Sequence, residues 1–429
     1  MADEDLEDLL AEIFMDDDSD EEDFVGFRPE DIRPRQQMND HGDGNDSDSD
    51  SDVSISSVSS VESDGEVPDG YDHAWLQDFT EISGPKNVPG NISQVDLFQK
   101  FISDAVIDSF VTETNRYAEQ VREQRGANAK PKSRISLWKP VSVAEMKAFI
   151  ALLLLLGLTK RSSFGLYWST DDYIEMPGFR RIMPRDRFLA ILTFFHLVDN
   201  TLNVPRDDPQ HDKAFKVRSF VNMIIPAWQN HYTPGKELSI DESMIPFKGR
   251  SNIIQYMPAK PTKWGLKAWG LAEASTGFMW HWKLYLGKEN QNVRQEVGLA
   301  HRVVTELAEP LYDKGHVIYM DNFFSSKDLY QELADNQMGA CGTLRINRRG
   351  IPDRLKQSKP KAGEPPLTVK EGNTMYMAWF DKRPVFLMSS AHSAETFRKV
   401  VRSKRHQGMH REVDKPCAIQ SYSQHMGGD

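Results

Sequence analysis

The chain has 429 residues, 39% of them hydrophobic, enough to build cores for two or three domains. Its formal net charge of -12 hides an asymmetry: residues 1–70 hold 25 Asp and Glu against 3 Arg and no Lys, a net of -22, and the other 359 carry a net of +10. The two cysteines, Cys341 and Cys417, exclude a disulfide framework or a multi-cysteine zinc site within this chain, and the longest apolar run, Phe149 to Leu158, is too short to cross a bilayer, so no membrane partner is expected.

Residues 1–70 read as a disordered acidic arm, because Ser-Asp repeats without a tryptophan cannot supply a core. Leu6, Leu9, Leu10, Ile13 and Phe14 fall at helical spacing within it. That piece either docks on a protein partner or stays a solvated tail. From Tyr71 the composition changes, and all nine tryptophans lie beyond that point. Ser93 precedes a periodic run through Val95, Phe98, Phe101 and Ile102. Ser142 and Glu145 have capping-box spacing ahead of Met146 to Leu156. Further helices are expected after Pro184 and over Arg218 to Tyr232, so residues 71–235 read as mostly helical. The period then changes. Leu238 to Phe247, Ile253 to Tyr256, Leu266 to Ala272 and Phe278 to Leu286 read as strands separated by turn residues. A helix over Val293 to Leu307, a buried strand over His316 to Phe324 and a helix over Ser326 to Asn336 follow, an α/β layer. Residues 350–375 read as an excursion before strands at Tyr376 to Phe380 and Pro384 to Ser389.

Two carboxylates stand out. Asp241 sits inside a segment that otherwise favours strand, and Asp321 ends a hydrophobic one. Asp is disfavoured in strand interiors and costly to bury unpaired. A lone strand Asp is most often a cap or edge residue, but two in one α/β layer can share a hard cation such as Mg²⁺ or Mn²⁺. Two such ions can activate an attacking oxygen and stabilise a leaving one at a phosphodiester. Glu242 alternates to the other face of its strand and reads as structural. Asp381, beside Lys382 and Arg383, reads as a partner for neighbouring cations. Arg250, Lys260, Lys263 and Lys267 cluster after the first aspartate, and Arg345, Arg348 and Arg349 follow the second. They suit phosphate contacts or a solvated face. The dense basic run from Arg398 to Arg411 suits DNA binding or a nuclear import signal.

The stretch Ser239-Ile-Asp-Glu-Ser-Met-Ile-Pro-Phe-Lys-Gly-Arg250, continued by Gln255-Tyr-Met-Pro-Ala-Lys-Pro-Thr-Lys-Trp-Gly-Leu-Lys267, resembles the first-aspartate motif of piggyBac-type transposases. Asp321-Asn-Phe-Phe-Ser-Ser326 resembles their second. Gly342-Thr-Leu-Arg345, Lys382-Arg-Pro-Val385 and the apolar stretches Met146 to Gly157 and Arg187 to Leu197 are similar to other family segments, so the resemblance covers roughly residues 75–429. It implies an α/β fold: an RNase H-like catalytic core over 236–429 with an insertion around 346–420, preceded by a helical DNA-binding and dimerisation region over 71–235 and the acidic arm. It also implies metal-dependent cleavage and transfer of double-stranded DNA at transposon ends and TTAA targets, a homodimer, and a nuclear location. Met426-Gly-Gly-Asp429 is similar to the segment bearing the family's third acidic ligand, with its valine missing. Asp429 is therefore the third candidate catalytic and metal-binding residue after Asp241 and Asp321. A terminal residue is poorly held, so the chain reads as C-terminally truncated, with full transposition expected to be impaired. Two other functions stay open: a domesticated, catalytically inactive DNA- or chromatin-binding protein, and an interaction protein working through the acidic arm.

Overall fold

The structure, a computed structural model, describes residues 70–72, 74–125, 131, 133–247, 249, 251–258, 260–287, 298–402 and 410–426. The arm over 1–69, with its helical-period piece at 6–14, lies outside the described residues, as do Arg250 and Asp429.

The chain divides into two units. The first comprises Asn91–Ile224 with Phe247–Asn252, and its periodic segments form helices. Ser93 caps α1 (Gln94–Phe101) by accepting from the Asp96 amide. After α2 (Asp104–Arg125), α3 (Val143–Leu158) begins with the expected capping box between Ser142 and Glu145. The chain then turns through a 3₁₀ segment and α4 (Pro177–Ile182) into α5 (Arg185–Phe194), which starts after Pro184. Proline at the entry loses no intrahelical donor. Met146, Phe149 and Leu152 of α3 meet Phe188 and Ile191 of α5 in one core with Val106, Ile107 and Trp168. The last helix, α6 (Phe215–His231), begins in this unit and ends in the second.

The second unit takes residues 70–90, Ile225–Pro246 and 253–426. Residues 71–90 read as part of the helical region in sequence, yet they pack with the sheet. Asp72 N–H donates to the Ala391 carbonyl (2.7 Å), Ser393 N–H to Gly70 (2.8 Å), and the Trp75 indole N–H to Ser390 (2.9 Å). The strands of its main sheet are β1 (Glu237–Pro246), β2 (Ile254–Tyr256), β3 (Trp264–Glu273), β4 (Met279–Leu284), β5 (Val317–Met320), β6 (Gly339–Thr343), β7 (Leu367–Glu371), β8 (Thr374–Phe380) and β9 (Pro384–Ser389). They form one nine-stranded sheet in the order β2-β3-β1-β5-β6-β9-β8-β7, with β4 sharing the outer edge of β3. β1 runs antiparallel to β3 and parallel to β5, which runs parallel to β6. The stretch over 367–389 thus contributes three strands to the main sheet, because β9 pairs with β6 at Leu387 and Thr343.

At β5 both faces of the sheet are covered, which is why this strand is an unbroken apolar run rather than an alternating one. Ile318 and Met320 face a core with α7 (Leu299–Ala308) and α8 (Lys327–Asp335). Val317 and Tyr319 face the other core, with Leu76 and with α10 (Cys417–His425). A short helix, α9 (Asp353–Lys356), precedes β7, and a β10–β11 hairpin (Thr396–Arg402 and His410–Pro416) leads into α10.

The capping box at α3 carries a second duty. Arg187 of α5 clamps both Glu145 oxygens, at 2.9 and 3.0 Å. Hydrogen bonding from Arg187 holds the Glu145 carboxyl below the usual glutamate range, against the opposing effect of burial. A depressed carboxyl contributes stability above its unfolded value, about 4.3, and loses it as pH falls through the folded value. Glu145→Gln keeps the capping geometry and removes the charge. We therefore expect it to lower the urea midpoint at pH 7, with the gap to wild type closing as pH drops below about 4.3.

Candidate metal centre

Asp241 lies in the middle of β1 and Asp321 follows the last residue of β5. The parallel register pairs Ile240 with Met320, so the next position on each strand sets Asp241 beside Asp321. Neighbouring strands are about 4.8 Å apart. Alternation puts Asp241 on the face of Glu237 and Ser239, and Asp321 on that of Val317 and Tyr319. Both carboxylates therefore rise from the α10 side of the sheet, just past the carboxyl end of the parallel β1–β5 pairing; open α/β sheets place their ligands at such ends. One oxygen of each is held by local backbone: Asp241 Oδ1 accepts from the Glu242 amide (2.7 Å), and Asp321 Oδ1 from the Phe323 amide (2.9 Å).

The row continues into β6. Met320 pairs with Gly342, which sets Thr343 beside Asp321 on the same face. Above it stands Tyr422 of α10, whose hydroxyl shares a hydrogen bond with Thr343. Burial pushes the Tyr422 phenol well up. The Thr343 bond opposes that shift, and the charges of Asp321 and Asp241 add to it. A neutral phenol and a threonine hydroxyl thus wall one side of the carboxylate pair. Neither residue carries a charge or an unusual spacing that would single it out in sequence, although Thr343 sits in the Gly342–Arg345 segment.

The basic residues divide by environment. Glu242 does turn to the opposite face, where Lys267 Nζ lies 2.5 Å from its carboxylate and Lys260 Nζ 3.8 Å away. Lys260 also donates to the Glu242 carbonyl (3.2 Å). These two lysines hold the strand beside Asp241. Arg345 Nε donates to Asn322 Oδ1 (2.8 Å), and one Arg348 nitrogen donates to the Asn322 carbonyl (2.8 Å) and to that of Phe323. Both arginines therefore brace the turn that leaves Asp321. Lys263 and Arg349 are exposed. Asp381 lies in the turn between β8 and β9, and its charge acts on Lys415. Cys341 and Cys417 are both buried, and burial pushes the Cys341 thiol up.

The donor set fits a hard divalent cation. Mg²⁺ is commonly held by one or two carboxylates together with substrate phosphates, and this site offers an adjacent pair with oriented oxygens. Among the described residues no group of three or more His, Cys, Asp or Glu side chains is placed to hold a metal.

The chain is similar to known proteins in both sequence and fold. A family model described as Transposase IS4 matches residues 93–428. The human protein named PiggyBac transposable element-derived protein 5 is 24% identical over 364 residues, covering 81% of this chain and 66% of the relative. The human PiggyBac transposable element-derived protein 2 is 24% identical over 344 residues, covering 79% and 55%. The chain thus spans two thirds or less of the length of these curated relatives. A solved structure, a cryo-EM structure of the piggyBac transposase synaptic complex with hairpin DNA, superposes with a TM-score of 0.66 at 25% identity, covering 81% of this chain and 69% of that one.

If Arg348 braces the Asp321 turn, Arg348→Ala should destabilise the free protein by about 1–2 kcal/mol, because two partly buried carbonyls lose their donor. The exposed Arg349→Ala should stay within about 0.5 kcal/mol. Urea unfolding of the two variants without DNA separates them.

Proposed function

Since the chain belongs to the piggyBac-type transposase family, we propose that it binds double-stranded DNA and carries, at Asp241 and Asp321, a site for metal-dependent cleavage and transfer of phosphodiester bonds. The observation that supports this most is the pairing of Ile240 with Met320, which lines the two carboxylates up on one face. A meander of β4, β3 and β1 beside parallel β5 and β6 supports an RNase H-like core. The structural relative whose description names hairpin DNA supports DNA as the partner.

On this reading Asp241, Asp321 and Asp429 would hold Mg²⁺ or Mn²⁺. The bound cations would supply charge neutralisation at the scissile phosphate and an activated oxygen nucleophile. The chain's own residues do the positioning. The Glu242 and Phe323 amides aim one oxygen of each carboxylate, and the Arg345–Asn322–Arg348 brace fixes the turn behind Asp321. Tyr422 and Thr343 keep solvent from one flank. Lys263 and Arg349, both exposed, are the candidate phosphate contacts. Transposon ends and TTAA as the DNA recognised, a second copy of the chain as partner, and a nuclear location belong to the same proposal. An alternative is a domesticated DNA-binding protein without catalysis, in keeping with curated relatives named as transposable element-derived proteins.

We expect supercoiled plasmid to be nicked in Mg²⁺ or Mn²⁺, not in chelator, and Asp321→Asn to lower the rate by at least about 100-fold. Binding without nicking would leave the domesticated reading. In either case affinity should fall steeply with salt, and a flat salt response would count against DNA as the partner.

A further inference from the structure

Beyond Asp241 the sheet does not stop. β1 continues through Pro246, paired with Gly265 to Trp269 of β3, and β2 pairs with the start of β3. Opposed residues in antiparallel strands share a face. Asp241 opposes Gly270, and Tyr256 opposes Trp264. Alternation along β3 from Gly270 through Ala268 and Leu266 therefore sets Trp264, and Tyr256 with it, on the same face as Asp241. The two rings lie side by side, with centroids 4.6 Å apart and planes tilted by 39°. Both are open to solvent: Trp264 is 53% exposed and Tyr256 52%. Ile245, on the same face, is 40% exposed. Large aromatic rings left in water on the face that carries a candidate site mark a contact surface rather than a core.

The position of the pair is fixed by backbone. A Cβ on Gly265 would stand 2.2 Å from the Ile245 carbonyl oxygen, so only glycine lets β1 and β3 close here and hold Trp264 in place. Trp264 lies six positions from Gly270, about 20 Å of strand. That length equals about six nucleotides of stacked DNA strand, and fewer of an extended one. The turn beside the rings carries the exposed Lys263.

We infer that Tyr256 and Trp264 form a stacking platform for unpaired bases of a DNA strand whose backbone runs on to the Asp241–Asp321 pair. This rests on the DNA reading above and adds a preference within it. A paired duplex turns its base faces inward and offers these rings only phosphate, sugar and groove edges. An unpaired base offers a whole π-face, and base–aromatic stacking is tolerant of sequence. A positively charged lysine beside the rings favours a polyanion over an apolar peptide.

The test uses the full chain and two fluorescent probes: a paired duplex, and the same duplex with a short unpaired overhang containing 2-aminopurine. Wild type should bind the overhang probe more tightly and quench its 2-aminopurine. Trp264→Leu, which keeps apolar bulk, should weaken overhang binding by roughly 5- to 100-fold and lose the quench. The paired duplex should change by less than about twofold, and Trp264→Phe should retain the preference. Circular dichroism checks the fold, and Tyr256→Leu carries the test if Trp264→Leu does not fold. Overhang binding and quenching unchanged in these variants, or equal loss on both probes, would overturn the platform while leaving DNA binding intact. Failure of the wild type to bind either probe would overturn the DNA reading and the platform with it.

Discussion

Parallel pairing of β1 with β5 is the constraint on which the rest of the structure depends. Two aspartates 80 positions apart in sequence become neighbours only because Ile240 lies opposite Met320. A slip of one residue would turn one carboxylate into the opposite core. The register is secured from both sides. Leu238 and Ile240, with Ile318 and Met320, are fully buried against α7 and α8, so a slip would exchange them for Ser239 and Tyr319.

On the other face a polar network does the same work with direction. Tyr319 shares a hydrogen bond with Ser421 of α10 (2.6 Å), and Tyr71 donates to Glu237 (2.8 Å) while lying 3.3 Å from Tyr319. His392 stacks on Tyr71 and bonds Ser389 (2.9 Å). Buried polar groups need their partners, so this network admits one seating of α10 on the sheet. That seating brings Tyr422 over the carboxylates. The segment after the acidic arm is thus part of the frame that holds the site, through Tyr71 and Asp72, rather than a link to the helices.

What could be read in sequence was local. Period-2 runs located the strands. Ser142 with Glu145 located the start of α3, and the misfit of Asp241 and Asp321 in apolar strands singled out the candidate pair. Their adjacency required the register of two distant strands, which no local pattern encodes. The basic residues show the same limit. Lys260, Lys267, Arg345 and Arg348 read as phosphate contacts because they cluster near the aspartates. Folding gives them Glu242 and Asn322 as partners, and it leaves Lys263 and Arg349 exposed. The pairing of exposed Tyr256 with Trp264 depends on a hairpin register, so sequence gave only their spacing among lysines.

The central claim is that Asp241 and Asp321 converge on a shared cation. A crystal structure of the chain grown with Mn²⁺, collected at a wavelength where manganese scatters anomalously, tests it most directly. The account predicts an anomalous peak within about 2.0–2.6 Å of carboxylate oxygens from both residues. Absence of a peak at saturating Mn²⁺, or a peak bound by one residue with the other turned to the α7–α8 face, would contradict it.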